Sequence, residues 1–297
     1  MAAKIIDGHA VAERIRQDVR RQVAELAQQG VRLKLAALMV GEPPAGIVYA
    51  RSQARQCEEL GIAYELIQLP GDCGVGGLTE RIEQLNGDPA VTGIMMHLPL
   101  PQSMDTPSMQ YRIDPYKDVE GVNAGNIGMV FYAEPIIAPC TALAVMELVR
   151  DIKMEIRGAE AVVVGQGAIV GLPISVFLVQ QLATVTCCHI ATRDLAVHTR
   201  RADLLIVAAG KPGLVTADLI KPGAVVIDVG INRIKVVDSA GQNTVKTVGD
   251  VDFKSALKVA GAITPVPGGV GPVTVATLLR NTVEAARKQM ERTCTGA

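Results

Sequence analysis

Apolar residues fall four apart at Val11, Ile15, Val19 and Val23, which predicts an amphipathic helix over 8–30 closed by Gly30. The unbroken apolar run 35–40 then predicts a strand buried on both faces. A Pro- and Gly-rich loop follows at 41–46, a second helix at 47–60 ending at Gly61, and an alternating strand at 63–69. Residues 78–86 read as helix and 93–98 as a short strand, stopped by Pro99-Leu100-Pro101. Strands alternating with helices at this spacing are the pattern of a parallel sheet with crossover helices.

The stretch 116–139 is rich in Gly and Asn and reads as the passage between two domains. Helical periodicity resumes at 141–150. Ala161-Val162-Val163-Val164 is then a continuous apolar strand running into Gly165, with later strands at 184–188, 204–208 and 225–229. The pattern predicts a second doubly wound parallel sheet over about 141–272. A last helix over 273–290, preceded by Pro272, has no partner that periodicity identifies.

Composition narrows this picture without adding chemistry. A length of 297 residues suits about two domains. Twenty-nine basic and thirty acidic residues leave a net charge of −1, so no broad basic surface exists for nucleic acid or anionic lipid. With 3% aromatic residues and no Trp, the core is built from aliphatic side chains and Met. No apolar run reaches the ~18 residues of a membrane span. The first residues, MAAKIIDGHAVAERIRQ, lack a signal-peptide core, so a cytoplasmic protein is expected. The six cysteines (57, 73, 140, 187, 188 and 294) form no CxxC pair and no metal-ligand spacing, and are read as reduced and mostly buried. No metal is expected.

One turn carries a chemical signal. Gly165-Gln166-Gly167-Ala168-Ile169-Val170-Gly171 links strand to helix with glycines spaced G-x-G-x-x-x-G. Such a turn presents backbone N–H groups and a helix N-terminus to a phosphate. The same glycines also suit a tight connection without ligand.

Longer motifs resemble the bifunctional methylenetetrahydrofolate dehydrogenase/cyclohydrolase family from one end of the chain almost to the other. They include Ala3-Lys-Ile-Ile-Asp-Gly8, Tyr49 ahead of Cys57 and Gly61-Ile62, Leu98-Pro-Leu-Pro101, and Pro115-Tyr-Lys-Asp-Val119 with Gly121 and Asn126. Further on stand Pro139-Cys-Thr141, Ala209-Gly-Lys-Pro-Gly213, Val226-Ile-Asp-Val-Gly-Ile-Asn232, Gly249-Asp-Val251 and the long run from Ile263-Thr-Pro-Val-Pro-Gly-Gly-Val-Gly to Leu278. The resemblance implies an α/β fold with an N-terminal folate domain, 1–140 plus 273–297, and a Rossmann-type domain, 141–272. It implies folate and a nicotinamide dinucleotide on opposite walls of an interdomain cleft, and a homodimer. Tyr49 would stack on the folate ring system, with Pro265, Gly268 and Gly269 lining the folate surface. Gly165, Gln166, Gly167, Ile169, Gly171 and Ile231 would hold the dinucleotide.

The chain departs from the family pattern where protons are handled. Position 53 is Gln where the family has Lys, position 97 is His where it has Gln, and position 120 is Glu where it has Asp. Together with Tyr49, Gln53, His97 and Glu120 form the candidate catalytic set. Gln53 hydrogen-bonds but does not shuttle protons near neutrality, whereas His97 brings a titratable ring. The family's Gly-Arg-Ser turn is Gly165-Gln166-Gly167 here, and its His-Ser-Arg is His189-Ile190-Ala191, which removes the groups suited to the ribose phosphate of NADP. Either NADP or NAD remains open on these residues.

Three readings follow. The leading expectation is a folate enzyme that binds 5,10-methylenetetrahydrofolate and passes its methylene carbon to a nucleophilic small-molecule acceptor without redox chemistry, its cyclohydrolase step weakened or lost. The alternatives are an NAD(P)-dependent dehydrogenase of the family type and a non-catalytic folate-binding homologue. No nucleic-acid or membrane partner is expected.

Overall fold

The computed structural model of the chain describes residues 3–237 and 243–295. It divides into two compact units: Arg14–Cys140 with Ala276–Ala297, and Met1–Glu13 with Thr141–Val275. The divisions fall within the helices Gly8–Gln28, Cys140–Asp151 and Val270–Thr295.

The first unit is built on a three-stranded parallel sheet with Lys34–Val40 between Ala63–Leu69 and Gly93–Met96. Leu35 to Met39 of the central strand are at most 1% exposed. Ala36, Leu38, Ile67, Ile94 and Met96 pack with Leu78, Ile82 and Leu85 of the helix Gly74–Gly87 in an aliphatic core. The helix Pro44–Leu60 begins three residues before the start expected from apolar spacing. Proline is tolerated in a first helical turn, where the missing N–H has no intrahelical partner to lose. Gly61 ends that helix in the left-handed region at φ 77°, its N–H reaching Glu58 O at 3.0 Å.

The segment 116–139 is not an interdomain passage. It is part of the first unit, folded around the buried Asp118, which accepts from Gly121 N (3.1 Å), Asn123 N (2.6 Å) and Asn126 Nδ2 (3.0 Å). Asn123 Nδ2 in turn donates to Tyr111 O and Ile113 O. The Gly and Asn content that suggested a linker serves turns and a satisfied polar core.

The second unit carries six parallel strands in the order Lys4–Ile5, Ala262–Ile263, Val225–Asp228, Leu204–Val207, Glu160–Val164 and Thr184–Cys188. From Glu160–Val164 the chain moves first to one side and then to the other, so the strand order reverses beside Val164 and Val207. That reversal is where open α/β sheets bind ligands. An antiparallel hairpin, Asn232–Val237 with Asn243–Val248, was not foreseen from the apolar pattern. The first residues, expected with the folate domain, belong here: Lys4 and Ile5 pair with Ala262 and Ile263, and Gly8 N donates to Gly268 O at 3.0 Å. The last helix starts at Val270, with Pro272 in its first turn rather than before it.

Cys57, Cys140 and Cys188 are buried, Cys73 is half-buried and Cys187 exposed, all as free thiols. The side chain of Cys294 lies outside the described residues, as do residues 1, 2, 296 and 297 of the expected domain bounds. Among the described residues no helix is long and apolar enough to cross a membrane.

Candidate active site

In the first unit the helix Pro44–Leu60 carries Tyr49 and Gln53 one turn apart, on one face. His97 follows the strand Gly93–Met96, its N–H held by Leu38 O at 2.8 Å. The Tyr49 and His97 rings meet edge to face, centroids 5.8 Å apart at 85°. Tyr49 is 44% exposed and His97 6%, so the histidine lies beneath the tyrosine. Burial lowers the His97 pKa, which favours the neutral ring at pH 7.

Beside His97 sits a residue the sequence did not single out. Tyr64, in the edge strand Ala63–Leu69, places its hydroxyl 3.2 Å from His97 Nε2 and donates to Gln53 Oε1 at 3.3 Å. Gln53 is 1% exposed, and its Nε2 has no hydrogen-bond partner among the described residues. A buried amide with an unmade bond costs about 1–3 kcal/mol, so this one is held against a penalty. The contact spans two strands on opposite sides of Lys34–Val40, and no local spacing signals it.

Glu120 joins this group through the backbone. Its Oε2 accepts from Met96 N at 3.2 Å, one residue before His97. Desolvation pushes the Glu120 carboxyl up to about 7 against the pull of that hydrogen bond, and the Asp118 charge adds to the rise. The surrounding loop is fixed by Asn281, whose Nδ2 donates to Val119 O, Ala138 O and Cys140 Sγ. Lys117 gives its ammonium to Leu85 O and Asp88 O at 2.9 and 2.7 Å, so Lys117 and Asp118 hold the loop while Glu120 supplies the titrating group.

In the second unit the turn after Glu160–Val164 is shaped by its glycines. Gly165 has φ 97°, and a Cβ there would lie 2.1 Å from Ala208 O. One on Gly171 would lie 1.8 Å from Gly165 O. The backbone N–H groups of Gly167, Ala168 and Ile169 have no partner among the described residues, and the helix Gly171–Gln180 begins beside them. Free N–H groups at a helix N-terminus, at the sheet's reversal point, fit the diphosphate of a dinucleotide. Gln166 is folded back, donating to Val163 O at 2.9 Å, and so holds the turn with its side chain.

Asp250 fixes the facing loop, its Oδ2 accepting from Ala209 N and Gly210 N at 2.7 and 2.8 Å and its Oδ1 from Asn232 Nδ2. Asp228 accepts from Gly230 N, Asp250 N and Val251 N; desolvation still pushes it up to about 6. A Cβ on Gly230 would strike Asp250, and one on Gly249 would strike Asp228, which accounts for both glycines of these motifs. Ile231, Pro265, Gly268 and Gly269 line a cavity of about 250 Å³ with His9 and Thr247. The structure thus groups Tyr49, Gln53, His97 and Glu120 in the first unit. It places the turn residues and the Ile231–Pro265–Gly269 cavity in the second.

A Rossmann-type sheet with a glycine turn, joined in one chain to a second α/β unit with a smaller parallel sheet, a carboxylate and a histidine, defines a two-unit nucleotide-binding enzyme class. The catalytic-domain model of the tetrahydrofolate dehydrogenase/cyclohydrolase family matches residues 6–120, and its NAD(P)-binding-domain model matches residues 139–290. The chain belongs to that family. It is 49% identical over 290 residues to the bifunctional protein FolD of Bordetella avium (strain 197N), covering 98% of this chain and 99% of that protein. The crystal structure of the Campylobacter jejuni bifunctional FolD superposes with a TM-score of 0.90 at 39% identity, over 97% of this chain and 100% of the other. The Trypanosoma brucei FolD, solved with NADP cofactor and inhibitor, gives 0.90 at 38% identity, over 98% and 99%. These relatives overturn the leading expectation of a non-redox methylene transfer. Altered proton-handling residues do not by themselves redirect a site whose family and near relatives are dehydrogenase/cyclohydrolases.

Proposed function

We propose that the protein is a 5,10-methylenetetrahydrofolate dehydrogenase/cyclohydrolase with a nicotinamide dinucleotide, NADP as in the T. brucei relative, as hydride acceptor. The observation that carries this reading is that near-half identity to a bifunctional FolD extends over 98% of the chain and so includes both units.

The dinucleotide supplies a hydride acceptor when bound; Gly167, Ala168 and Ile169 would hold its diphosphate through their free N–H groups. Tyr49 offers an exposed ring face for the folate ring system. Hydride loss leaves a cationic methenyl carbon on the folate, which water then attacks. The buried, neutral His97 takes the first proton of that water. Glu120, poised near neutrality, protonates the departing ring nitrogen and recovers its proton from the carbinol oxygen as the formyl group forms, so one proton is released overall. Cofactor contacts from Gly165, Gln166, Gly171 and Ile231, and folate contacts from Pro265, Gly268 and Gly269, complete the reading. A homodimer in solution belongs to it as well, supported by the exposed Val179 and Leu182 beside the sheet's edge strand Thr184–Cys188.

Purified protein given methylenetetrahydrofolate with NADP or NAD in separate reactions should reduce nicotinamide and accumulate 10-formyltetrahydrofolate. Absence of reduction with both dinucleotides would reject the proposal.

A further inference from the structure

We infer that Tyr64 is a positioning residue that sets the tautomer of His97, with Gln53 as the acceptor that ends the chain. The inference rests on the assignment of His97 as the base of the hydrolytic half-reaction. The Tyr64 hydroxyl has one hydrogen, and it goes to Gln53 Oε1. Its oxygen is then left to accept from His97 Nε2, 3.2 Å away, which places the ring hydrogen on Nε2. Nδ1 is thereby left with its lone pair and with no protein partner among the described residues.

The arrangement remains matched as the ring changes charge. When Nδ1 takes a proton from water, Nε2–H still donates to Tyr64 and Tyr64 still donates to Gln53, so no group reorients during the step. The reverse chain, with the Gln53 amide turned over, has Tyr64 donating to Nε2 and leaves Nδ1 carrying the hydrogen, unable to act as a base. In either direction one amide atom of Gln53 stays without a partner among the described residues, Nε2 in the productive one. Besides Tyr64, the titratable groups at His97 are Tyr49, edge-on to its ring, and Glu120, bonded to the N–H of the preceding residue. Neither bonds to the imidazole nitrogens.

The chain has only four histidines, so the ring nitrogens of His97 can be followed by NMR on ¹⁵N-histidine protein, assigned with His97→Gln. The ligand-free protein should show the Nε2–H tautomer. Tyr64→Phe and Gln53→Leu should lose that preference, and Gln53→Glu, which accepts in either orientation, should retain it. In parallel, Tyr64→Phe should lower the ratio of methenyltetrahydrofolate hydrolysis to nicotinamide reduction by about tenfold and shift the pH midpoint of hydrolysis. An Nδ1–H tautomer in the parent protein, or a Tyr64→Phe spectrum and pH profile that superpose on the parent's, would overturn the inference. If the tautomer responds as expected while the parent protein hydrolyses no methenyltetrahydrofolate, the hydrogen-bond chain stands and the functional reading falls.

Discussion

Glu120 Oε2 accepts the backbone N–H of Met96 at 3.2 Å, which ties the carboxylate to the residue immediately before His97. The two groups proposed to handle protons therefore share one short piece of backbone. Glu120→Gln keeps an oxygen for Met96 N–H but has no proton to give. Methenyltetrahydrofolate hydrolysis should fall by about 100-fold or more and lose its inflection near pH 7, measured by absorbance across pH 5–9.

The same carboxyl makes folding stability pH-dependent. Its ordinary value of 4.5 applies to the unfolded chain, and about 7 to the folded one. Between those values the unfolded chain has released a proton that the folded chain retains, so stability falls as pH rises through the window. Thermal melts from pH 4.5 to 7 should show a shallower decline for Glu120→Gln than for the parent protein. Identical slopes would show that Glu120 titrates normally.

Tyr49 tests the folate face. Its ring packs edge-on against His97, so removing the hydroxyl alone should matter little while removing the ring uncovers the histidine. Tyr49→Phe should leave KM for methylenetetrahydrofolate within about twofold, and Tyr49→Ala should raise it about tenfold, consistent with ~0.5–1.5 kcal/mol for an aromatic pair plus lost contact area. Equal KM values for both variants would remove the ring from folate binding.

Two glycines of one turn should behave oppositely. Gly165→Ala meets both a φ of 97° and a contact 2.1 Å from Ala208 O, so it should lower stability by about 1–3 kcal/mol and abolish nucleotide binding. Gly167→Ala meets nothing within 4 Å and should melt like the parent. Calorimetric titration with NADP alongside thermal melts separates strain from lost contact.

Asp250 is fully buried and accepts two backbone N–H groups on one oxygen and Asn232 Nδ2 on the other. An amide cannot accept at both ends. Asp250→Asn should therefore destabilise the protein by about 2–4 kcal/mol in urea unfolding, whichever way it turns. A change below 0.5 kcal/mol would mean the loop 208–210 holds itself.

Much of the frame was legible because buried parallel strands are written as unbroken apolar runs. Residues 35–40 and 161–164 announced themselves in this way. The segment 116–139 misled because glycine and asparagine mark surface turns and buried turns alike; only the partners of Asp118 distinguish them. The strand Lys4–Ile5 is too short for any period to register. At the site, Tyr49, Gln53, His97 and Glu120 stood out by comparison with the family motif. Tyr64 did not, since its importance lies in two contacts across a sheet rather than in its neighbours along the chain. In the sequence, Gln53 in place of a lysine reads as a change of reaction; in the structure it shares a hydrogen-bond chain with Tyr64 and His97 that the sequence does not show.

The pairing of Lys4–Ile5 with Ala262–Ile263 has a consequence for biosynthesis. The strand Lys4–Ile5 leaves the ribosome about 260 positions ahead of its partner. At ordinary translation rates of roughly 5–20 residues per second, the second unit's sheet stays open at one edge for some tens of seconds. The strands of the first unit, all emerged by residue 96, have their pairing partners far sooner. A nascent chain stalled before residue 262 would thus hold a formed three-stranded sheet and a second sheet still lacking its last edge.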